Sequence, residues 1–509
     1  MQQKQNPVWW LIILLAIIKF SLPFWLQSPV YELQRDEYLY YLQGQHLALG
    51  YLENPPLISY LGIISSWFGG TEHTIMFWPA WYGALTLIVT CMITAELGGK
   101  LFAQLLAGLC IMTGAFLRVH ALFQPNMLDI FFWTLAIYFV LRYIRSQTNY
   151  HLYAMMVSLA FGFWSKYSVA FVAAALLISI LLTQHRKIFL QKKVFVAILV
   201  ALIIILPNVY WQYAHKWPLI HHMKELRETQ LQYLNPVDFI KDQFLMTLTA
   251  IFVWLAGLIW VFNNKTYRFI GYGFFFVIVL LLLGSGKSYY SLGIYPVLFA
   301  AGAVAWQQWT TKALWLRPVF VIIILWFTYL ILPLALATKE PAKLAAIYKK
   351  HGLENKWEDL QNHPLPQDFA DMLGWKELAG KAETFFNTLP DSIKKDMIVY
   401  CRNYGQAGSL QFYAHNTDFK KRVISDNGSF LLWIPNDLHF KQLLLIAHDL
   451  PGNDDEVFQH FQKTTIIDSV TNIYSRQLGD KVIFFQNGDD KADKTAQEGL
   501  KEMKKVFSR

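Results

Sequence analysis

Long apolar runs separated by short polar stretches dominate the first 340 residues of the chain. A helix needs about 20 mostly apolar residues to cross a bilayer, because every backbone amide must be hydrogen-bonded inside the lipid. The stretch 57–68 is too short to span and is predicted to lie in the membrane interface. The pattern predicts eleven membrane spans, near residues 8–26, 75–97, 101–118, 128–145, 151–164, 168–183, 194–210, 244–262, 267–284, 289–309 and 318–338.

The pattern changes after about residue 340, where charged residues become frequent and the apolar runs shrink to the length of strands. The runs MIVYC, FLLWI, QLLLIAH and KVIFF alternate with helical stretches such as GWKELAGKAETFFNTL, which predicts a small α/β domain. The end, DDKADKTAQEGLKEMKKVFSR, is predicted to be a solvated helix or tail. The chain is therefore predicted to consist of a membrane domain, residues 1–339, and a second domain, residues 340–509.

The connections between the apolar segments carry different charges on the two sides of the predicted bundle. If the spans alternate, one set of connections is rich in lysine and arginine and contains a single acid, Glu96. Cytoplasmic connections carry an excess of Lys and Arg, so this set is predicted to face the cytoplasm. An odd number of spans then puts the chain after residue 338 on the extracytoplasmic side.

The composition supports a membrane protein. Of the 509 residues, 55% are hydrophobic and 16% charged, whereas a soluble domain carries about 25% charged residues. The net charge of +9 comes with no basic stripe on a polar fold, so membrane lipid is the predicted partner and nucleic acid is not. The three cysteines are too few for a disulfide framework and are predicted to be small buried hydrophobes.

Four connections on the predicted outer side bring charged side chains to one face of the membrane. They contribute Asp36 with Glu37, Asp129, Lys166 and Lys287. A charge at the edge of the hydrocarbon is costly and usually has a partner or a task, so these residues predict a site. Wet loops also contain charges, and a lone Asp is often a helix cap. Asp129 therefore either caps the span that follows it or faces a cavity.

Lys287 lies in the turn GSGKSYY between two apolar segments. The glycines would let the backbone approach an anion such as a lipid phosphate, and Tyr289 and Tyr290 follow. The lysine could instead extend its amine to the headgroups. Lys166, in WSKYS, leaves the same two interpretations open, and Lys19, within the first span, is predicted to extend toward the outer interface.

The stretch RDEYLYYLQGQHLALGYLENPPL follows the first span, and its first half has the pattern of an amphipathic interfacial helix that begins at the Asp-Glu pair. Pro55 and Pro56 fix φ and force Asn54 toward an extended backbone, so the chain turns rigidly there. His120 begins HALFQPNMLD in the second outer connection. Asn54, Pro55, Pro56 and His120 are predicted to position the loops or the acceptor.

Together these stretches resemble the multispanning glycosyltransferases that use polyprenyl-phosphate sugars, the superfamily of protein O-mannosyltransferases and lipid A aminoarabinose transferases, in its bacterial family 39-like branch. RDEYLYYLQGQHLALGYLENPPLISYLG is similar to the first outer loop, and NMLDIFFW to the acidic motif of the second. SLAFGFWSKYS and GKSYYSLGIYP are similar to two later motifs. DMLGW and CRNYGQAGSLQFYA look like the final domain of that branch, so the similarity spans most of the chain.

The resemblance implies a type-C glycosyltransferase fold: a mainly α, polytopic membrane protein with a small C-terminal α/β extracytoplasmic domain. It implies transfer of one sugar from a polyprenyl-phosphate donor to an envelope acceptor, which is lipid A, another glycan or a protein, at the outer face of the plasma (inner) membrane. Asp36 would be the catalytic base with Glu37 beside it, Asp129 the second-loop acid, and Lys287 a contact of the donor phosphate. The aminoarabinose transferases have a lysine where this chain has Asn54, which argues against that sugar.

This chemistry needs the residue types that the motifs provide. Sugar transfer from a lipid phosphate passes through an oxocarbenium-like state, so a base for the acceptor proton and a cation at the leaving phosphate both lower the barrier. The family implies an inverting transfer, which needs one base. By analogy with glycosidases, Asp129 could instead orient the acceptor or bind a divalent metal, and no other cofactor is indicated.

Two further interpretations concern the whole chain and its C-terminal part. A polytopic secondary transporter is the alternative, but transporters concentrate polar residues near the midplane and have two related halves. The stretch VYCRNYGQAGSLQFY lacks the first Gly-x-Gly of a nucleotide-binding turn. The second domain is therefore predicted to frame the entrance for the acceptor, with Asn403, Tyr404 and Gln406 near it.

Overall fold

Each of the eleven apolar segments contains a helix in the computed structural model, which describes residues 3–229, 231, 234–452 and 455–508. Helices satisfy all their backbone groups internally, as an apolar solvent requires. The α and 3-10 helices before residue 340 are Trp9–Leu26, Arg35–Gln43, Leu57–Trp67, Glu72–Glu96, Leu101–Ile111, Ala115–Val119, Pro125–Ser146, Asn149–Ser165, Val169–Leu181, Gln184–Leu190, Lys192–Ala214, Pro218–Thr229, Pro236–Leu245, Leu248–Ala250, Ile251–Asn263, Arg268–Leu283, Ser288–Ile294, Tyr295–Trp309 and Leu316–Ala335.

Fewer of these helices are long and apolar enough to cross a membrane than the sequence predicts. In the described part of the chain, six are long and apolar enough to cross a membrane, or up to eight if each of two bent pairs counts as one span. The bends measure 111° after Leu181 and 60° after Leu245. The chain is a multi-pass membrane protein, while the count of eleven is not confirmed.

The predicted span 101–118 is divided at Gly114. This glycine takes a φ of +61°, which ends the helix Leu101–Ile111 before the short helix Ala115–Val119 begins. A Cβ at Gly114 would lie 2.5 Å from the backbone oxygen of Met246, and the same oxygen accepts a hydrogen bond from the Ala115 N–H at 2.9 Å. The break therefore joins this segment to the chain near Met246.

The C-terminal part contains a five-stranded sheet and nine helices in the residues described. The strands are β1 (Met397–Cys401), β2 (Val423–Ile424), β3 (Gln442–Ala447), β4 (Phe461–Ser469) and β5 (Lys481–Gly488), in the order β2-β1-β3-β5-β4. β1 is parallel to β2 and β3, whereas β5 is antiparallel to β3 and β4. The helices are Pro341–Lys350, Gln367–Ala370, Trp375–Thr388, Asp391–Lys394, Tyr404–Tyr413, Thr417–Arg422, Gly428–Trp433, Glu456–Gln459 and Asp490–Phe507.

Three of the four predicted strand runs are strands, but FLLWI is not. Its first four residues end the 3-10 helix Gly428–Trp433, in which Ser429, Phe430 and Leu431 are all buried. Consecutive burial fits a helix turn, and a short apolar run does not distinguish a strand from a buried helix. β4 was not among the predicted runs, because its residues are mostly polar and partly exposed.

One hydrophobic core joins the C-terminal part to the first connection. Tyr38 and Leu42, from the helix Arg35–Gln43, belong to the same buried cluster as Trp375 and Leu410. The rings of Tyr38 and Trp375 meet edge to face with centroids 5.7 Å apart. Burial of such aromatic side chains is a strong stabilising contribution, so the two parts form a shared structure around this helix.

Candidate functional site

A cavity of about 710 Å³ lies where the predicted outer connections meet the C-terminal part. Most of the residues that the sequence singled out reach it. The predicted site residues that line it are Asp36, Asn54, Pro55, Lys166, Lys287, Tyr289 and Tyr290. Glu37, Pro56, His120 and Asp129 are not among its lining residues.

Asp36 lies in the first turn of the helix Arg35–Gln43, which begins where the sequence predicts. Gln34 caps this helix and accepts a hydrogen bond from the Asp36 N–H at 2.9 Å. The helix dipole favours a negative charge at this end. The Oδ1 atom of Asp36 accepts a hydrogen bond from the Tyr404 hydroxyl at 2.7 Å and lies 3.4 Å from Nε of Arg35.

Glu37, the residue after Asp36, is buried. Its Oε2 atom accepts the Gln34 N–H at 2.6 Å and completes the capping box, while Oε1 accepts the Phe123 N–H, also at 2.6 Å. Burial raises the pKa of Glu37 to about 7, although the two backbone donors favour the charged form. Glu37 therefore joins the first and second connections and does not face the cavity.

Asp129 is neither the cap of its helix nor a lining residue of the cavity. The helix Pro125–Ser146 has Gln124 at its N-cap, so Asp129 lies one turn inside. Its Oδ2 atom accepts a hydrogen bond from the Ser168 hydroxyl at 2.7 Å, and its buried Oδ1 has no hydrogen-bond partner among the described residues. The carboxylate thus lies beside Ser168, directly behind the wall that Lys166 and Ser168 form.

Besides Asp36, two lysines and two tyrosines of the predicted site line the cavity. The Lys166 amine donates to the Asn126 side chain at 2.5 Å and lies 3.6 Å from the centroid of the Tyr290 ring. Tyr289 is the second ring, 5.3 Å from the same amine. Lys287 lies in the turn before the helix Ser288–Ile294. Cations with hydroxyl groups nearby can hold a phosphate.

The proline turn fixes the wall near Asp36. The Asn54 side chain exchanges hydrogen bonds with the Gln43 amide at 2.9 and 3.1 Å, so it fastens the turn to the end of the Asp36 helix. Pro55 lines the cavity, and Pro56 is the N-cap of the helix Leu57–Trp67.

His120 and Lys19 lie together in the helix packing, outside the cavity lining. His120 is fully buried, and its ring nitrogens have no hydrogen-bond partner among the described residues. Lys19 is 1% exposed, and its amine donates to the Phe116 carbonyl at 2.9 Å. The predicted extension of Lys19 toward the interface is therefore wrong: the carbonyl that the short helix Ala115–Val119 presents satisfies the amine inside the protein.

The sequence reasoning missed two arginines of the cavity. Arg35 directly precedes the predicted carboxylates, and its guanidinium lies 5.6 Å from the centroid of the Tyr404 ring. Arg118 bonds Asp368 of the C-terminal part at 2.6 Å. Adjacency to Asp36 could have signalled Arg35, but nothing in the sequence pairs residue 118 with residue 368.

Of the three residues predicted near the acceptor entrance, only Tyr404 lines this cavity. Asn403 and Gln406 line a smaller neighbouring cavity of about 250 Å³, whose wall includes Arg35. Within the described ranges, no group of three or more His, Cys, Asp or Glu side chains is arranged to hold a metal ion. The three cysteines are free and buried, as predicted.

Known proteins resemble this chain in sequence over part of its length. Residues 53–211 match the family model described as dolichyl-phosphate-mannose-protein mannosyltransferase. A curated relative, the lipid A galacturonosyltransferase RgtD of Rhizobium johnstonii, is 26% identical over 218 residues. That match covers 41% of this chain and 45% of the relative, so it spans less than half of the relative's length.

Solved structures share the fold over almost the whole chain. ArnT from Cupriavidus metallidurans bound to undecaprenyl phosphate matches with a TM-score of 0.61 at 12% identity, covering 94% of this chain and 98% of that one. The apo state of the same protein matches with a TM-score of 0.59 at 11% identity, covering 93% and 97%. The fold is therefore the type-C glycosyltransferase fold. The family match over residues 53–211, the curated relative and the shared fold together support the resemblance to the superfamily of polyprenyl-phosphate-sugar-dependent membrane glycosyltransferases.

Proposed function

We propose that this protein is an integral membrane glycosyltransferase that moves a single sugar from a polyprenyl-phosphate donor to an envelope acceptor. The observation that carries the proposal is that Asp36 and the two lysines, Lys166 and Lys287, line one cavity. A carboxylate and two cations around one space are the groups that transfer from a lipid phosphate needs.

In the proposed reaction, the acceptor oxygen attacks the anomeric carbon of the sugar while Asp36 takes the acceptor's proton. The bond between that carbon and the phosphate oxygen breaks, and its electron pair leaves with the lipid phosphate. Lys287 and Lys166, with the hydroxyls of Tyr289 and Tyr290, stabilise the leaving phosphate. One base and no covalent sugar intermediate make the transfer inverting.

Glu37 and Asp129 are proposed to act on these groups indirectly, through neighbouring residues. Glu37 holds the Asp36 helix against the second connection through the Gln34 and Phe123 N–H groups. Asp129 orients Ser168, the neighbour of Lys166 in the cavity wall.

The proline turn and the packing behind it have a supporting part in the proposal. Asn54, Pro55 and Pro56 keep the turn rigid at the end of the Asp36 helix. His120 supports the second connection from inside the helix packing.

We propose that the chain crosses the bacterial plasma (inner) membrane eleven times, with the cavity and residues 340–509 on the extracytoplasmic side. The Lys and Arg content of the opposite connections supports this orientation. The proposed acceptor is lipid A, another glycan or a protein of the envelope, and Asn54 argues that the sugar is not aminoarabinose. The comparisons do not favour the secondary transporter, because the relatives found are transferases.

The test compares the lipids and envelope glycans of cells with and without the gene by mass spectrometry. The proposal expects one glycan to lose a single sugar, and the plasmid-borne wild type to restore it. Asp36→Asn keeps the shape and loses the base, so transfer should fall by about 10²–10⁴-fold. Asp418→Asn is the control, because Asp418 is an exposed carboxylate paired with Arg422 in the C-terminal part.

Either of two results would contradict the proposal. Full restoration by Asp36→Asn would remove Asp36 from the mechanism. An unchanged glycan together with a small molecule that accumulates on one side of the membrane would replace the enzyme with a transporter.

A further inference from the structure

The helix Tyr404–Tyr413 of the C-terminal part packs directly on the helix Arg35–Gln43 that carries Asp36. Two glycines make this contact possible. A Cβ at Gly405 would lie 2.5 Å from Cγ of Arg35, and a Cβ at Gly408 would lie 2.6 Å from Cβ of Tyr38. Small residues three apart on one helix face let two backbones approach closely. The glycines of the stretch CRNYGQAGSLQFYA thus serve helix packing.

The start of this helix is fixed independently of the contact. The Asn403 side chain caps the helix by accepting the Gln406 N–H at 2.9 Å. The side-chain oxygen of Gln406 accepts the Asn403 N–H at 3.3 Å. The Gln406 side chain also donates to Asp480 at 2.7 Å, which connects the cap to the residue before β5. Tyr404, the first residue after the cap, therefore has a fixed position.

From that position the Tyr404 hydroxyl reaches Asp36. It donates to Oδ1 at 2.7 Å, and Nε of Arg35 lies 3.4 Å from the same oxygen. Burial, together with the nearby charge of Asp36, raises the pKa of Tyr404 well above its usual range, so the hydroxyl keeps its proton and remains a donor. The described residues provide two hydrogen-bond donors to the Asp36 carboxylate, and both bind its Oδ1 atom.

On the basis of the proposed function, we propose that Tyr404 is a positioning residue of the transfer reaction, supplied by the C-terminal part. Its hydrogen bond holds Oδ1 and turns Oδ2 toward the cavity, where Oδ2 accepts the acceptor's proton. The C-terminal part is then a component of the active site in addition to a wall of the acceptor entrance.

The same helix offers a matched control. Tyr413 donates to Glu72 at 2.6 Å and accepts from the Tyr38 hydroxyl at 3.1 Å, so it also makes a tyrosine–carboxylate hydrogen bond between the C-terminal part and the helical part. Tyr404→Phe and Tyr413→Phe each remove one hydroxyl from one such bond and keep the ring. A role in docking alone predicts that Tyr413→Phe lowers the rate at least as much as Tyr404→Phe, whereas a role in positioning Asp36 predicts a larger loss for Tyr404→Phe.

The experiment measures initial rates in native membranes that contain equal amounts of each full-length protein. The donor is polyprenyl-phosphate sugar extracted from cells that lack the gene, and the acceptor is the glycan found deficient in those cells. A hydrogen bond to a charged group contributes enough for Tyr404→Phe to lower kcat roughly ten- to hundredfold, with KM for the donor unchanged. Tyr413→Phe should stay within about twofold of the wild type.

Two results would overturn the positioning role. One is a loss of kcat in Tyr413→Phe at least as large as in Tyr404→Phe. The other is a Tyr404→Phe variant with a raised KM and an unchanged kcat, which would make Tyr404 a substrate contact. A wild-type protein that transfers no sugar in the same assay would instead overturn the proposed function. The failures of the two proposals are thus separate outcomes.

Discussion

The contact between the two helices predicts that Gly408→Ala separates them. The methyl group would lie 2.6 Å from Cβ of Tyr38, where an ordinary contact is 3.4–4 Å. Cβ of Tyr38 cannot rotate away, and the side chain is fully buried, so the helices must move apart by about 1 Å in a close-packed region. Such overpacking costs about 1–3 kcal/mol. Replacing a helical glycine with alanine returns about 0.5–1 kcal/mol.

The net effect of Gly408→Ala is therefore a loss of up to about 2.5 kcal/mol in the free energy of unfolding, which lowers Tm by about 1 °C per kcal/mol in a chain of 509 residues. The assay is thermal unfolding of the full chain in detergent micelles, followed by the rate of sugar transfer in membranes. Transfer should fall as well, because the shift moves Tyr404 away from Asp36.

The control for this variant is Gly380→Ala, in the helix Trp375–Thr388 of the same C-terminal part. No atom lies within 4 Å of a Cβ at Gly380, so alanine there should raise the stability by about 0.5–1 kcal/mol. A Gly408→Ala protein that is as stable as Gly380→Ala, and as active as the wild type, would refute the close approach of the helices.

Two further predictions concern charged groups. Lys287→Ala should lower kcat/KM for the donor, while Lys312→Ala, in an exposed turn, should not; equal kcat/KM values would reduce Lys287 to a headgroup anchor. Burial raises the pKa of Glu32 from 4.5 to about 7, although Oε2 accepts the Trp375 and Lys376 N–H groups. The folded chain therefore binds a proton that the unfolded chain releases, and about 3 kcal/mol of stability is lost as pH rises from 4.5 to 7. Glu32→Gln should gain stability relative to the wild type between pH 5 and pH 8 in thermal unfolding, and a constant difference would contradict this.

The elements of the fold that follow from local patterns could be predicted from the sequence. Apolar runs indicate helices in membranes wherever they occur, and the predicted start of the Asp36 helix is confirmed by the capping box of Gln34 and Glu37. The number of spans did not follow in the same way. A break such as Gly114 depends on a contact with Met246, which lies far away in the chain.

The roles of individual charged residues were harder to predict, because burial and partners are tertiary properties. Asp129 has the sequence context of a cap, but the helix begins earlier, at Pro125, and the partner is Ser168. Lys19 has the context of an interfacial lysine, but Phe116 presents a carbonyl to it inside the helix packing.

The candidate site combines both situations. Asp36, Lys166 and Lys287 each stand in a motif at the end of an apolar run, and this pattern predicts them as candidates. The hydrogen bond between Tyr404 and Asp36 joins residues 368 positions apart, and no pattern in the sequence connects them. The glycines of the Tyr404 helix have a use only when the Asp36 helix lies against them. If Asp36 is the base, as we propose, its orientation through this contact makes transfer sensitive to the docking of the C-terminal part, and mutations in the contact should affect turnover before they unfold the chain.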